Sequence, residues 1–457
     1  MKQVYSIASL LMYFFIQLNA QTNPAITSWL QNTTQTGSYY MNGNPTAISN
    51  GILVNCQKVE YSGNWVYVTS AGVPAYPTGP FLDGNPSQAT NQNRIVKLSL
   101  NPIPKTGTPT ATNGGNIGIF INGVAMFDYR DGVAWNPSTN ALCGGPGNPP
   151  CPGGPMASMD WNRDAIVAER AGFDCAKGHP AMGNYHHHQN PSAFKLDLSV
   201  ISTICNLYDA DGLYVIDPTQ HSPLIGFAHD GYPVYGAYGY KNADGTGGIT
   251  RIKSGYELRN ITIRTQHAGN ISVTTGPVVS TTYPLGYFRE DYEFIAHPGN
   301  EDYLDEHNGR FCVTPEYPLG TYAYFATVDS NHNSAYPYLV GPTFYGDVTG
   351  GKVTSVSEST TVYTSTVSAM DNEIPQNIQV FPNPATDLIA IQIGGLVAYD
   401  YTVDLLDITG KTIQSTQIKS GQTIGFFDVQ TLYAGIYFVK ISAGNYSETR
   451  KISIGER

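Results

Sequence analysis

Apolar and polar residues alternate along most of the chain in short runs, such as Asn64–Ser70 (NWVYVTS) and Thr321–Asp329 (TYAYFATVD). A period of two puts every second side chain on one face, so these runs predict strands, with Gly, Pro, Asn and Asp clusters as the turns between them. Asn122-Gly123 and Asp230-Gly231, each between apolar residues, carry the commonest hairpin-turn signal. Pro233, just after the second of these, predicts an edge position or a break in pairing. One segment departs from the pattern. Ala157–Gly172 (ASMDWNRDAIVAERAG) combines good helix formers with Ser158 or Asp160 as cap and Gly172 as terminator, and predicts the one clear helix. After Gly350 the chain becomes rich in Ser, Thr and Val with no apolar face, which predicts a linker over 351–376. Alternation returns in Tyr401–Ile408 (YTVDLLDI) and Ile436–Ile441 (IYFVKI), so 377–457 is expected to form a small antiparallel β-sandwich.

The first residues read differently. Lys2 precedes an apolar run from Ile7 to Leu18 and a small residue, Ala20, which predicts a secretory signal peptide over 1–20. No later run reaches the roughly 18 apolar residues of a membrane helix, so no transmembrane segment is expected. Residues 21–350 are left as one β-rich domain. Charged residues are only 13% of the chain and the formal net charge is −11. With no Lys/Arg cluster, nucleic acid and anionic membranes are excluded as partners, and cations are the more natural guests. The 6 cysteines, an even count in an exported chain, read first as disulfides. Cys143 with Cys151, across a Gly/Pro loop, is the expected pair, and Cys175 with Cys205 the next.

The chemistry-bearing stretch is Gly178–Pro191 (GHPAMGNYHHHQNP), which holds four of the chain's 10 histidines. On a strand, His186 and His188 share a face, with Cα atoms roughly 6.5–7 Å apart, while Tyr185 and His187 face the other way. Two imidazoles so placed form a bidentate clamp for a metal ion. His179 and His221 are the candidate further ligands, and His187 is expected to be peripheral and partly exposed. Asp164, Asp230, Asp291 and Glu306 are the acids available to complete or orient the site, with Asp230 or Glu306 as general base if the ion is catalytic. Imidazole ligands suit zinc or copper better than calcium or magnesium. The competing interpretation makes these histidines hydrogen-bonded scaffold residues. His229 is expected at a hairpin surface, His297 and His307 beside carboxylates, and His267 and His332 without partners. There is no G-x-S-x-G, H-E-x-x-H, Walker loop or strand-to-helix G-x-G-x-x-G.

Two resemblances extend these readings. Residues from Val66 to about Gly341 resemble the YHYH domain family, whose motif stands here as Tyr185-His186-His187-His188. Supporting matches are GVPAYPTGPF at Gly72, IGIFINGVAMFD at Ile117, HSPLIGFAHDGYPVYG at His221 and LDEHNGRFCVTPEYPLGTYAYF at Leu304. The third motif position is His187 where the family pattern has Tyr, so the H-x-H pair is kept and the opposite face changes. The tail resembles the type A C-terminal sorting domain of the type IX secretion system, through Phe381-Pro382-Asn383-Pro384-Ala385, DLLDITGK at Asp404 and LYAGIYFVKI at Leu432. That resemblance implies the secretion machinery as partner and delivery across the outer membrane of a Gram-negative bacterium, to the surface or outside. The expected protein is mainly β and exported, and it binds zinc or copper through His179, His186, His188 and His221. Such a centre is compatible with a metal-dependent hydrolase or oxidoreductase acting on an extracellular substrate. The alternative is a non-enzymatic surface module for glycan or protein.

Overall fold

The computed structural model describes residues 23–81, 87–112, 114–145, 147–154, 159–191, 216–364, 377–394, 400–419, 424–443 and 446–455. The expected signal peptide, Ser158 and Cys205 lie outside them. The chain is mainly β, and it divides into a unit ending at Thr364 and a second from Ser365 to the end.

The two largest sheets of the first unit, among several smaller ones, build its core. An all-antiparallel five-stranded sheet runs in the order Gly351–Val353, Arg94–Ser99, Trp65–Ser70, Cys56–Tyr61, Thr361–Tyr363. A mixed eight-stranded sheet runs His179–Ala181, Asn184–His187, Ala125–Phe127, Asn116–Phe120, Leu224–Ala228, Pro233–Tyr235, Thr321–Phe325, Gly309–Cys312. In it, Asn184–His187 pairs parallel to Ala125–Phe127, and Pro233–Tyr235 parallel to Thr321–Phe325. Alternation decides the packing. Ile119, Phe227 and Phe325 share a core with Val59, Val68, Val96 and Leu98 of the five-stranded sheet. Phe120, Met126, Tyr185, Ile225, Val234 and Tyr324 form a second core. Burial on both faces explains why Leu224–Ala228 is an unbroken apolar run.

Four expectations are corrected by the structure. The helix is only Ala165–Glu169, capped by Asp164 and continued by a 3-10 turn, because Asn162–Asp164 is held as a strand against Arg130–Asn136. Asp160 instead accepts from Thr274, both at the backbone N–H and at the hydroxyl. Pro233 stands inside the large sheet rather than at its edge, at the first residue of its strand, where a missing N–H is tolerated. The expected linker contributes Gly351–Val353 and Thr361–Tyr363 to the five-stranded sheet, where Glu358 accepts from the Tyr67 hydroxyl at 2.5 Å. Finally, the six cysteines do not all pair. Cys143 and Cys151 are bridged and Cys175 is disulfide-bonded, whereas Cys56 and Cys312 are free and buried.

The second unit is a sandwich with its own core. A three-stranded antiparallel sheet (Asn377–Phe381, Leu388–Gly394, Ile424–Asp428) packs Ile389 and Ile391 with Val403, Leu405, Val439 and Ile441 of a four-stranded antiparallel sheet.

Candidate metal centre

The site begins with a hairpin. His179–Ala181 and Asn184–His187 pair antiparallel with His179 directly opposite His186, and the turn between them places Met182 at φ 50° and Gly183 at φ 82°. Two consecutive positive φ values give the twist that a two-residue hairpin turn requires. Strand alternation sends Tyr185 and His187 into the core, and His186 and His188 to the other side. His187 is therefore not partly exposed. It is buried, with its Nε2 at 2.9 Å from the Tyr76 hydroxyl and its ring edge-on to Phe120.

On the second face, His179, His186 and His188 are all buried, and a candidate ligand nitrogen from each lies within 4.8 Å of the others. His186 Nε2 is 3.1 Å from His188 Nε2. A carboxylate joins them, since Glu169 Oε2 is 3.2 Å from His179 Nε2 and 3.2 Å from His188 Nε2. Ligand distances of about 2.0–2.1 Å put neighbouring donors of a tetrahedral ion roughly 3.3–3.4 Å apart, close to these three separations.

Backbone carbonyls fix the tautomers. His186 Nδ1 lies 2.8 Å from Asn184 O, and His188 Nδ1 lies 2.5 Å from Asp128 O. A carbonyl only accepts, so each Nδ1 carries a proton, and when both rings are neutral the two Nε2 atoms present lone pairs to each other. Glu169 Oε2 is buried without a hydrogen-bond partner, so its two 3.2 Å approaches are not aligned as hydrogen bonds. Facing lone pairs and a buried carboxylate oxygen leave a gap that a proton or a metal ion can fill. Phe127 stacks on His186 at 3.7 Å and stands edge-on to His188, while Phe173 is edge-on to His179, which holds the rings in place.

The electrostatics agree with this picture. Burial, reinforced by the neighbouring His179 and His188, holds His186 well below the usual imidazole range. Burial also opposes protonation of His188, but the Glu169 carboxylate outweighs it and raises that group. Burial would raise Glu169, yet His179 and His188 hold it below the usual carboxylate range. The cluster forms one wall of a cleft of about 410 Å³, lined also by Phe127, Arg130, Asp131, Val133, Asn162 and Met182.

Other expected site residues are placed elsewhere. The His221 ring packs among Tyr235, Tyr240 and Phe325, with Nδ1 at 2.7 Å from Ser222 O, and it is not in the cluster. Asp230 is fully buried and accepts from Tyr324 Oη, Gly346 N and Tyr232 N, so it ties loops together. Glu306 is exposed, and its described contact is a backbone carbonyl accepting from Tyr256 Oη. Asp164 caps the helix and accepts from Tyr338 Oη at 2.7 Å, with burial pushing its carboxyl up to about 7. Asp291 is paired with Arg264 at 2.7 Å. His267 and His332 do have partners, the Asp160 carbonyl and the Tyr238 hydroxyl. His229 is half-buried, and burial pushes its imidazole down to about 4. The functional residue not anticipated is Glu169, whose only sequence signal is its place at the end of a helix ten residues before His179.

A family model described as YHYH protein matches residues 95–336, a span that contains all four members of the cluster. A second, described as Secretion system C-terminal sorting domain, matches residues 379–455. No curated protein matches the chain.

Proposed function

The chain belongs to the YHYH protein family, and from that premise we propose that it binds one transition-metal ion, zinc or copper, through His179, His186 and His188, with Glu169 as fourth donor. Its C-terminal sorting domain makes it a cargo of the type IX secretion system, carried across the outer membrane of a Gram-negative bacterium to the surface or outside. Among the described residues no helix is long and apolar enough to cross a membrane.

The observation that carries the metal reading is the 3.1 Å approach of two Nε2 atoms whose ring protons are both committed at Nδ1. Three imidazoles and one carboxylate are a borderline-soft donor set, which suits zinc or copper, whereas calcium and magnesium call for oxygen. A bound ion of this kind supplies Lewis acidity toward a ligand entering from the cleft. Metal-dependent hydrolysis or oxidation of a small extracellular substrate is the activity such a centre supports. The carboxylate of the centre is then Glu169, in place of Asp230 or Glu306, and a ligand from the cleft would enter as a fifth donor.

Metal content of the secreted protein, after equilibration with equal trace zinc, copper, iron and manganese, tests this reading. One equivalent of a single metal is expected, and it should be lost in the His186→Ala/His188→Ala variant. A folded protein that holds no metal would return the histidines to a scaffold role and leave the chain as a glycan- or protein-binding module.

A further inference from the structure

The cleft over the histidine cluster has a second polar feature that the metal does not use. Arg130 lines it, with its side chain about a quarter exposed. Its Nε donates to Asp128 Oδ1 at 2.8 Å, and its Nη2 donates to Asp128 Oδ2 at 3.2 Å and to the Thr112 carbonyl. Nη1 has no such contact among the described residues. The arginine that lines the same small cleft as the metal ligands thus has two nitrogens clamped and one uncommitted.

Charge defines what this nitrogen receives. Arg130 is neutralised by Asp128, and Asp131, the other acid of the wall, is paired with Arg163 at 2.5 Å. Asp164 caps its helix outside the lining. Glu169 carries one negative charge against the two positive charges of a divalent ion, so the loaded cleft holds one uncompensated positive charge. A bound ion is the largest local charge in such a site and sets the sign of its ligand. Resting on the metal reading above, we propose that the cleft binds a small monocarboxylate, with its carboxylate held between the ion and Arg130 Nη1 and its apolar body against Phe127, Val133 and Met182.

Charge favours a carboxylate over a phosphate group. A monoanion cancels the single residual charge, whereas a phosphate monoester carries roughly −1.5 to −2 near neutral pH. The volume of about 410 Å³ is at the low end for ligand pockets, which limits the body to about one ring or a short chain.

Calorimetry on the zinc-loaded full-length protein tests the proposal, with benzoate, benzamide and inorganic phosphate as probes and zinc content measured in parallel. Benzoate should bind at least tenfold more tightly than either of the other two. Arg130→Gln should weaken benzoate at least tenfold. Arg130→Lys keeps a cation beside Asp128 if the glutamine variant fails to fold; it should retain one equivalent of zinc and show the same loss. Equal binding of benzamide, tighter binding of phosphate, or benzoate affinity unchanged in Arg130→Lys would overturn the carboxylate assignment and leave the metal site standing. Loss of zinc from Arg130→Lys would also overturn it, because Arg130 would then serve the centre rather than its ligand. A wild-type protein that takes up neither zinc nor copper would remove both readings.

Discussion

Glu169 Oε2 lies 3.2 Å from two imidazole nitrogens, and this contact makes the centre a competition between a proton and a metal ion. The carboxylate raises His188 above the usual imidazole pKa against the effect of burial. A group with a raised pKa keeps its proton to higher pH, so metal affinity should fall as pH drops through a value above about 6.5, the ordinary imidazole midpoint. Glu169→Gln removes both a donor and the group that raises His188. It should weaken zinc roughly ten- to a hundredfold at pH 8, and move the onset of proton competition to lower pH. Zinc affinities between pH 5.5 and 8 check this, and identical pH profiles in parent and variant would count against Glu169 as a member of the centre. At this scale the sequence was partly legible. The i, i+2 spacing placed His186 and His188 on one face, as the structure has them. The role of Glu169 was not readable, because nothing local to Ala165–Glu169 says which strand the helix end meets. His187 was misjudged as partly exposed for the converse reason: which face of a strand is buried depends on the sheet behind it.

The element that positions the ligands is the hairpin, and its turn has little freedom. Gly183 has φ 82°, and a Cβ there would come within 2.2 Å of Thr90 Oγ1, while its carbonyl accepts from Thr90 N at 2.9 Å. Gly183→Ala therefore strains the backbone and pushes apart two packed segments, for about 1–3 kcal/mol. Because His179 and His186 are cross-strand partners three residues from the turn, metal affinity should fall with stability. Denaturant titration with metal content on the same samples checks both, and an unchanged midpoint would show that the turn does not hold the site. Hairpins were the most legible elements, since Asn122-Gly123 and Asp230-Gly231 each sit in the turn between paired strands. Element limits were less so. The expected helix began too early because Asn162–Asp164 is recruited as a strand, a tertiary pairing that overrides local helix preference.

At the scale of the whole molecule, the boundary between the secreted domain and its sorting tail has a physical consequence. Composition placed a linker from residue 351, because Ser, Thr and Val without an apolar face looked unable to bury anything. The structure uses part of that stretch to close both edges of the five-stranded sheet, pairing Gly351–Val353 with Ile95–Lys97 and Thr361–Tyr363 with Val59–Tyr61. Thr360 Oγ1 donates to Glu60 and Tyr67 Oη to Glu358, which adds side-chain anchors to the backbone ladder. An edge strand needs only backbone groups and a modest apolar contribution, so its signal is weak by nature. A fragment ending at Gly350 would leave two unpaired edges beside the core that holds Val59, Val96 and Leu98. It should be less stable than one ending at Thr364 by several kcal/mol and prone to edge-to-edge association. The longer fragment should bind metal as the full chain does, because the sorting unit has its own core of Ile389, Ile391, Val403 and Ile441. Thermal melts and light scattering on the two fragments decide between these boundaries. Equal melting temperatures and monomeric behaviour in both would mean that the paired segments contribute nothing beyond a tether, and that composition had found the true end of the domain.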